Sequence, residues 1–96
     1  MTEIREQFLD TEFEPPVGPI ETAVAEVMAD VLGVNRLGRA DSFYDFGGTS
    51  LHAIRICARI EKQTGYRAQP IWLMTYDVLA DFTARLFNAN EKPPDE

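Results

Sequence analysis

The sequence predicts an all-α protein, a small four-helix bundle, from three observations. Successive stretches place apolar residues at helical spacing and are bounded by proline, glycine or a capping side chain. No stretch alternates apolar and polar residues as a strand does. A chain of 96 residues with 45% apolar content supports one modest core, because domains this small bury only roughly 60% of their unfolded surface.

The first helix is expected from Pro19 or Ile20 to Leu32. Proline suits a first helical turn, Glu21 complements the positive end of the helix dipole, and Gly33 supplies the stop. Its stripe is Ile20, Ala23, Val24, Val27, Met28, Val31 and Leu32. A connection of sixteen residues, Val34 to Thr49, follows; it is too long to hang free in a compact domain, so it should be packed down through Val34, Leu37, Phe43 and Phe46. Within it "DSFYDF" suits a single helical turn capped by Asp41 or Ser42.

The second helix is expected over Ser50–Thr64, closed by Gly65. Leu51, Ala53, Ile54, Ile56, Cys57, Ala58 and Ile60 leave a narrow polar strip of His52, Arg55, Arg59, Lys62 and Gln63, with Glu61 off the pattern, so most of this helix should be covered. The strip reads as a solvated face or a basic docking surface. A short third helix opens at Pro70 in "PIWLMTY", and a fourth runs from Val78 to about Asn88 with Asp77 as its cap and Leu79, Phe82 and Leu86 inward. The expected organisation is an acidic, largely flexible lead over 1–18, a folded domain over 19–88 and a flexible tail over 89–96. Ile4, Phe8 and Leu9 allow a short helix within the lead.

The net charge of −7 lies mostly outside the domain. Residues 1–18 carry −4 and 88–96 carry −2, leaving −1 on 19–87. No basic excess is there to neutralise phosphates, which argues against a nucleic-acid partner. Neither a signal peptide nor an apolar run of about 20 residues occurs, so the expectation is a cytoplasmic protein without a membrane role. The single cysteine, Cys57, falls at apolar helical positions and reads as a buried thiol.

The chemistry concentrates in "DSFYDFGGTSLHAIR", residues 41–55. A hydrolase elbow needs G-x-S-x-G after a strand, and neither condition is met. The sole histidine, His52, lies two residues beyond Ser50 on the same helix and points elsewhere, which removes a triad. Phe43 and His52 stand where a calcium loop starting at Asp41 needs oxygen ligands, no Cys/His metal cluster exists, and the phosphate-cradling loop with its lysine is absent.

Two readings of Ser50 remain. It is a helix cap, although Ala53 stands where the reciprocal Glu or Gln of a capping box belongs. Or it carries a covalent phosphate ester, favoured by ~0.3–1 kcal/mol at an exposed helix start. Gly47 and Gly48, without side chains, leave the serine approachable by another enzyme.

The stretch "DSFYDFGGTSLHA" resembles the phosphopantetheine attachment site of peptidyl carrier proteins, the thiolation domains of nonribosomal peptide synthetases. The matching positions are Asp41, Phe43, Asp45, Gly47, Gly48, Ser50 and Leu51. The likeness extends from about Phe13 to Leu86, through "PPVGPIETAVAEVMADVLGV" and "LADFTARL". Phe46 stands where leucine is usual, Asp77 and Val78 replace a common proline and threonine, and Met74 replaces phenylalanine, so contacts near the third helix are expected to differ. The alternative is an acyl carrier protein of polyketide or fatty acid synthesis, whose site more often reads Gly-x-Asp-Ser-Leu and whose second helix is typically acidic; Gly-Gly-Thr-Ser-Leu and the basic strip here favour the peptidyl type.

The resemblance implies an acyl-carrier-like bundle that is not itself an enzyme. Its 4'-phosphopantetheine arm, taken from coenzyme A by a phosphopantetheinyl transferase, is esterified to Ser50 and holds an aminoacyl or peptidyl thioester. An adenylating enzyme loads it, and condensation or tailoring enzymes of natural-product biosynthesis use it. Thr49, Leu51 and Arg55 are the expected partner contacts, with Leu51 exposed. A free-standing monomer is the default expectation. The alternative of another class is a non-covalent helical adaptor in which Ser50 is only a cap.

Overall fold

A computed structural model describes residues 2–91; of the flexible tail expected over 89–96, residues 89–91 are helical and 92–96 lie outside the described residues. Four helices follow in order: α1 (Gly18–Leu32), α2 (Ser50–Thr64), α3 (Pro70–Thr75) and α4 (Leu79–Glu91). Short 3-10 turns occur at Arg5–Gln7 and Phe43–Phe46. Strand-type pairing among the described residues is limited to isolated bridges, Glu3 with Val34 and Ser42 with Val78.

Each helix boundary has a local cause. Pro19 occupies the first turn of α1, and Gly33 closes it in the left-handed region at φ +76°, its N–H donating to the Ala29 and Asp30 carbonyls. Gly65 ends α2 in the same way, at φ +79°. α3 opens on Pro70. α4 begins at Leu79, and its cap differs from the one expected. Asp77 does not cap it, because the Asp77 carboxylate accepts from the Ser42 hydroxyl. The first N–H groups of α4, those of Leu79 and Ala80, donate instead to the carbonyls of Asp41 and Arg39. The connection between α1 and α2 therefore supplies the partners that a helix start lacks.

α1 packs on α2 and α4, and α3 bridges α2 and α4. Val24, Val27 and Met28 of α1 meet Ala53, Ile56, Cys57 and Ile60 of α2, Leu73 of α3, and Leu79, Phe82 and Leu86 of α4. Val34, Leu37, Phe43 and Phe46 are buried in the same core, which holds the connection down along its length. Cys57 is buried, and that burial, aided by the charge of Glu61, pushes its thiol up to about 12, so it packs as an inert apolar group.

The N-terminal segment is docked, not loose as its composition suggested. The Glu3 N–H donates to the Gly33 carbonyl, the Asn35 N–H to the Glu3 carbonyl, and the Arg39 N–H to the Glu14 carbonyl. Between these points Arg5 is fully buried. Its Nε and Nη2 donate to the two carboxylate oxygens of Asp41 at 2.5 and 2.8 Å, and its Nη1 donates to Glu6 and to the Thr11 carbonyl. The Asp41 carboxylate also accepts the Gly38 N–H at 2.7 Å. Counting acids cannot find this arrangement, since it rests on one base placed 36 residues from its partner.

Glu21 is a second buried charge. It accepts from Arg39 and from the Val17 N–H at the helix start. Burial works against its ionised form, but these donors outweigh burial and hold the carboxyl below its ordinary 4.5. A depressed folded-state value means a contribution present above the unfolded value and lost as pH falls through the folded one. The expected result is that Glu21→Gln flattens the decline in stability on acidification below about pH 4.5, followed by urea unfolding at stepped pH. A decline as steep as the wild type's would refute that role.

Candidate functional site at the start of the second helix

Ser42 opens the site. Its hydroxyl accepts the Tyr44 N–H at 3.1 Å and so caps the 3-10 turn Phe43–Phe46, one of the two residues expected there. Asp41, the other, is turned toward Arg5. The turn stops at Gly47, at φ +76°, a conformation that a side chain disfavours. Gly48 is needed for a different reason: a Cβ there would lie 2.5 Å from the ring of Phe43, which is fully buried and has no room to move. Both glycines thus have a structural cause in addition to the access they leave. Gly48→Ala is expected to destabilise the fold by ~1–3 kcal/mol, read from the urea midpoint; a shift within experimental error would refute the close packing.

The residue that caps α2 is Thr49, and this overturns the capping role considered for Ser50. The Thr49 hydroxyl accepts the His52 N–H at 3.3 Å, and the Thr49 N–H donates to His52 Nδ1 at 3.1 Å. Together they form a reciprocal capping box, with histidine where Glu or Gln is usual. A search three residues past Ser50 met Ala53; the box is displaced by one residue. His52 is therefore committed to Thr49, and its ring does not serve Ser50 as a base.

Ser50 is left as the first residue of α2, exposed, with its hydroxyl in no hydrogen bond among the described residues. As the first two residues of the helix, Ser50 and Leu51 have backbone N–H groups without intrahelical acceptors. Beyond them the surface of α2 differs from the expected polar strip. Leu51 is 55% exposed, and Ile54, expected to be covered, is 53% exposed. With Ala58 they make an apolar stripe at helical spacing, because α3 and α1 cover only the Ala53, Ile56, Cys57 and Ile60 face. Arg55 is exposed beside this stripe, whereas Arg59 is paired with Asp30 of α1. Among the described residues no group of His, Cys, Asp and Glu side chains is placed to hold a metal ion, and no helix is long and apolar enough to cross a membrane.

A four-helix bundle that presents an uncommitted serine at the head of its second helix has the form of a carrier domain. The family described as "Phosphopantetheine attachment site" matches residues 22–86, and the chain belongs to that family. Malpibaldin synthetase of Mortierella alpina is 30% identical over 89 residues, which cover 93% of this chain and 2% of the synthetase. The chain thus spans only a small fraction of that relative. A solved structure described as "Non Ribosomal PCP domain" superposes with a TM-score of 0.68 at 28% identity, covering 74% of this chain and 91% of that one. The phosphopantetheine transferase Sfp in complex with coenzyme A and a peptidyl carrier protein gives a TM-score of 0.72 at 22% identity, covering 79% of this chain and 99% of the matched one. At that identity the likeness is one of fold. The solved neighbours are peptidyl carrier proteins, and the family to which the chain belongs carries 4'-phosphopantetheine.

Proposed function

We propose that Ser50 is the attachment residue and that the protein carries an aminoacyl or peptidyl group as a thioester on the arm bound there. The observation that supports this most is the uncommitted Ser50 hydroxyl, exposed because Thr49 and His52 do the capping. The arm fits this position. Ser50 Oγ would make the phosphate ester, the Ser50 and Leu51 N–H groups and the helix dipole would favour its negative charge, and Gly47 and Gly48 leave the approach clear. When bound, the arm supplies the thiol that holds the acyl group. Tethering makes each later encounter intramolecular within a complex, which raises effective concentration and prevents loss of the intermediate.

In this reading the partners are a phosphopantetheinyl transferase, an adenylating enzyme, and condensation or tailoring enzymes of nonribosomal peptide or hybrid pathways. The carrier itself does no chemistry. The test is intact mass after incubation with coenzyme A and a broad-specificity transferase, with the modified residue located by fragmentation. A gain of one phosphopantetheine on Ser50 is expected. An unmodified, folded protein would overturn the proposal and favour a non-covalent adaptor.

Partners are expected to meet Leu51 and Arg55, with Thr49 between them and the loop. Leu51→Ala should slow loading by roughly tenfold or more if this side chain is a buried anchor in the complex. Arg55→Glu should slow it further at low salt than at high salt, since an exposed charge acts through a screened field. Loading rates indifferent to both changes would remove these contacts.

A further inference from the structure

The N-terminal segment grips the connection that leads to Ser50 at two points. The first is the buried Arg5 pair with Asp41, at the start of the 41–49 stretch. The second is Phe8, whose ring centroid lies 5.4 Å from that of Phe46 with the planes inclined at 55°. This is a tilted aromatic pair within the favourable range. Phe46 is buried, whereas Phe8 is 43% exposed and lies over it from outside. Gly47, Gly48 and Thr49 separate Phe46 from Ser50, and Gly47 closes the turn to which Phe46 belongs.

Little else in the segment is positioned to serve the core. Ile4 is 50% exposed, and among the described residues of the segment Leu9 is the one that packs against the core as a partly buried apolar side chain. The Asp41 bonds of Arg5 and the ring contact of Phe8 both fall on the connection. A contact that fixes one end of a short, glycine-containing link restricts what the other end can adopt. Gly47 and Gly48, as glycines, lose more conformational freedom on ordering than other residues and so gain from such restraint.

We infer that Phe8 is a positioning residue for the attachment serine: by seating Phe46 it holds Gly47–Ser50 in the conformation that a phosphopantetheinyl transferase reads. The N-terminal segment then belongs to the recognition unit of the carrier. This rests on the proposed role of Ser50 for its bearing on arm transfer, but the effect on the loop stands independently of it. If Phe8 is lost, the competent conformation becomes a fraction of the population and apparent affinity falls by that fraction, while the chemical step in the bound complex is unchanged. A pair of this kind corresponds to a change of about two- to twelvefold.

The test uses the full chain carrying Phe8→Ala, with Phe8→Tyr as the conservative variant and Phe46→Leu as the second arm of a double-mutant cycle. Transfer kinetics with coenzyme A and amide hydrogen exchange at 47–49, whose N–H groups are hydrogen-bonded, are both measured. The expected result is a KM for the carrier raised about two- to twelvefold with kcat unchanged, faster exchange at 47–49, wild-type behaviour in Phe8→Tyr, and no further loss from Phe8→Ala once Phe46 is leucine. Exchange at 47–49 as slow as in the wild type would overturn the positioning role. Faster exchange with an unchanged KM would overturn its bearing on transfer, and a full additional loss in the Phe46→Leu background would overturn Phe46 as the route. Should the wild type accept no arm, the role of Ser50 fails, and the exchange measurements alone decide the role of Phe8.

Discussion

Ser50→Ala should abolish arm attachment and leave stability unchanged within about 0.5 kcal/mol, while Thr49→Ala should lower stability and still accept the arm. The dissociation follows from who caps α2. Ser50 is exposed and its hydroxyl satisfies no backbone group among the described residues, so removing it loses the ester acceptor and nothing structural. Thr49 holds the His52 N–H and orients its ring. Its loss should cost ~1 kcal/mol, the typical value for a cap, while the acceptor oxygen remains. Intact mass and urea unfolding on the two variants separate the roles. A Ser50→Ala protein destabilised as much as Thr49→Ala would mean that the serine has a structural duty, and one that still gained the arm would place the attachment elsewhere.

Arg5→Met should cost ~3–5 kcal/mol, the value for removing one partner of a buried ion pair and leaving the other charge without compensation. Asp41 has a side-chain exposure of 3% and would keep only the Gly38 N–H. Small domains hold about 5–15 kcal/mol in total, so this single change should remove about a fifth of the stability or more. The guanidinium is held more firmly protonated than an ordinary arginine, first by its hydrogen bond to Asp41, with the bond and charge of Glu6 adding to it against the effect of burial. A raised folded-state value contributes fully below the unfolded value and is lost only above it, so the arginine's contribution should be constant across neutral pH.

The double variant Arg5→Met with Asp41→Leu should recover part of the loss, because no charge then stays buried. It should not recover all of it, because the Gly38 N–H loses its acceptor. Chemical unfolding of the wild type, both single variants and the double variant reads the coupling. An Arg5→Met protein within ~0.5 kcal/mol of the wild type would mean that the N-terminal segment is not held by this pair.

The residues of the site were legible in different degrees. Asp41, Phe43, Gly47, Gly48, Ser50 and Leu51 could be read as a spaced set from the linear order alone, because the set lies within one short stretch. The role of Thr49 could not, since His52 in place of Glu or Gln hides the capping box. The exposure of Ile54 was also hidden: an apolar residue on a largely apolar helix looks buried until the neighbouring helices are placed, and here they leave its face open.

By itself the sequence determined the helices and the stretch that holds the candidate site. Apolar spacing, Pro19, Pro70, Gly33 and Gly65 act within a few residues, and short-range geometry is enough to set where a helix starts and stops. Only the tertiary structure decided that the acidic lead is docked, that α4 takes its first acceptors from the carbonyls of Asp41 and Arg39, and that Phe8 lies on Phe46. The reason is that each of these depends on a single pairing across a long separation, which composition averages away and periodicity does not record. Such pairs exist only once burial has brought distant segments together and left one polar group facing the one partner able to satisfy it.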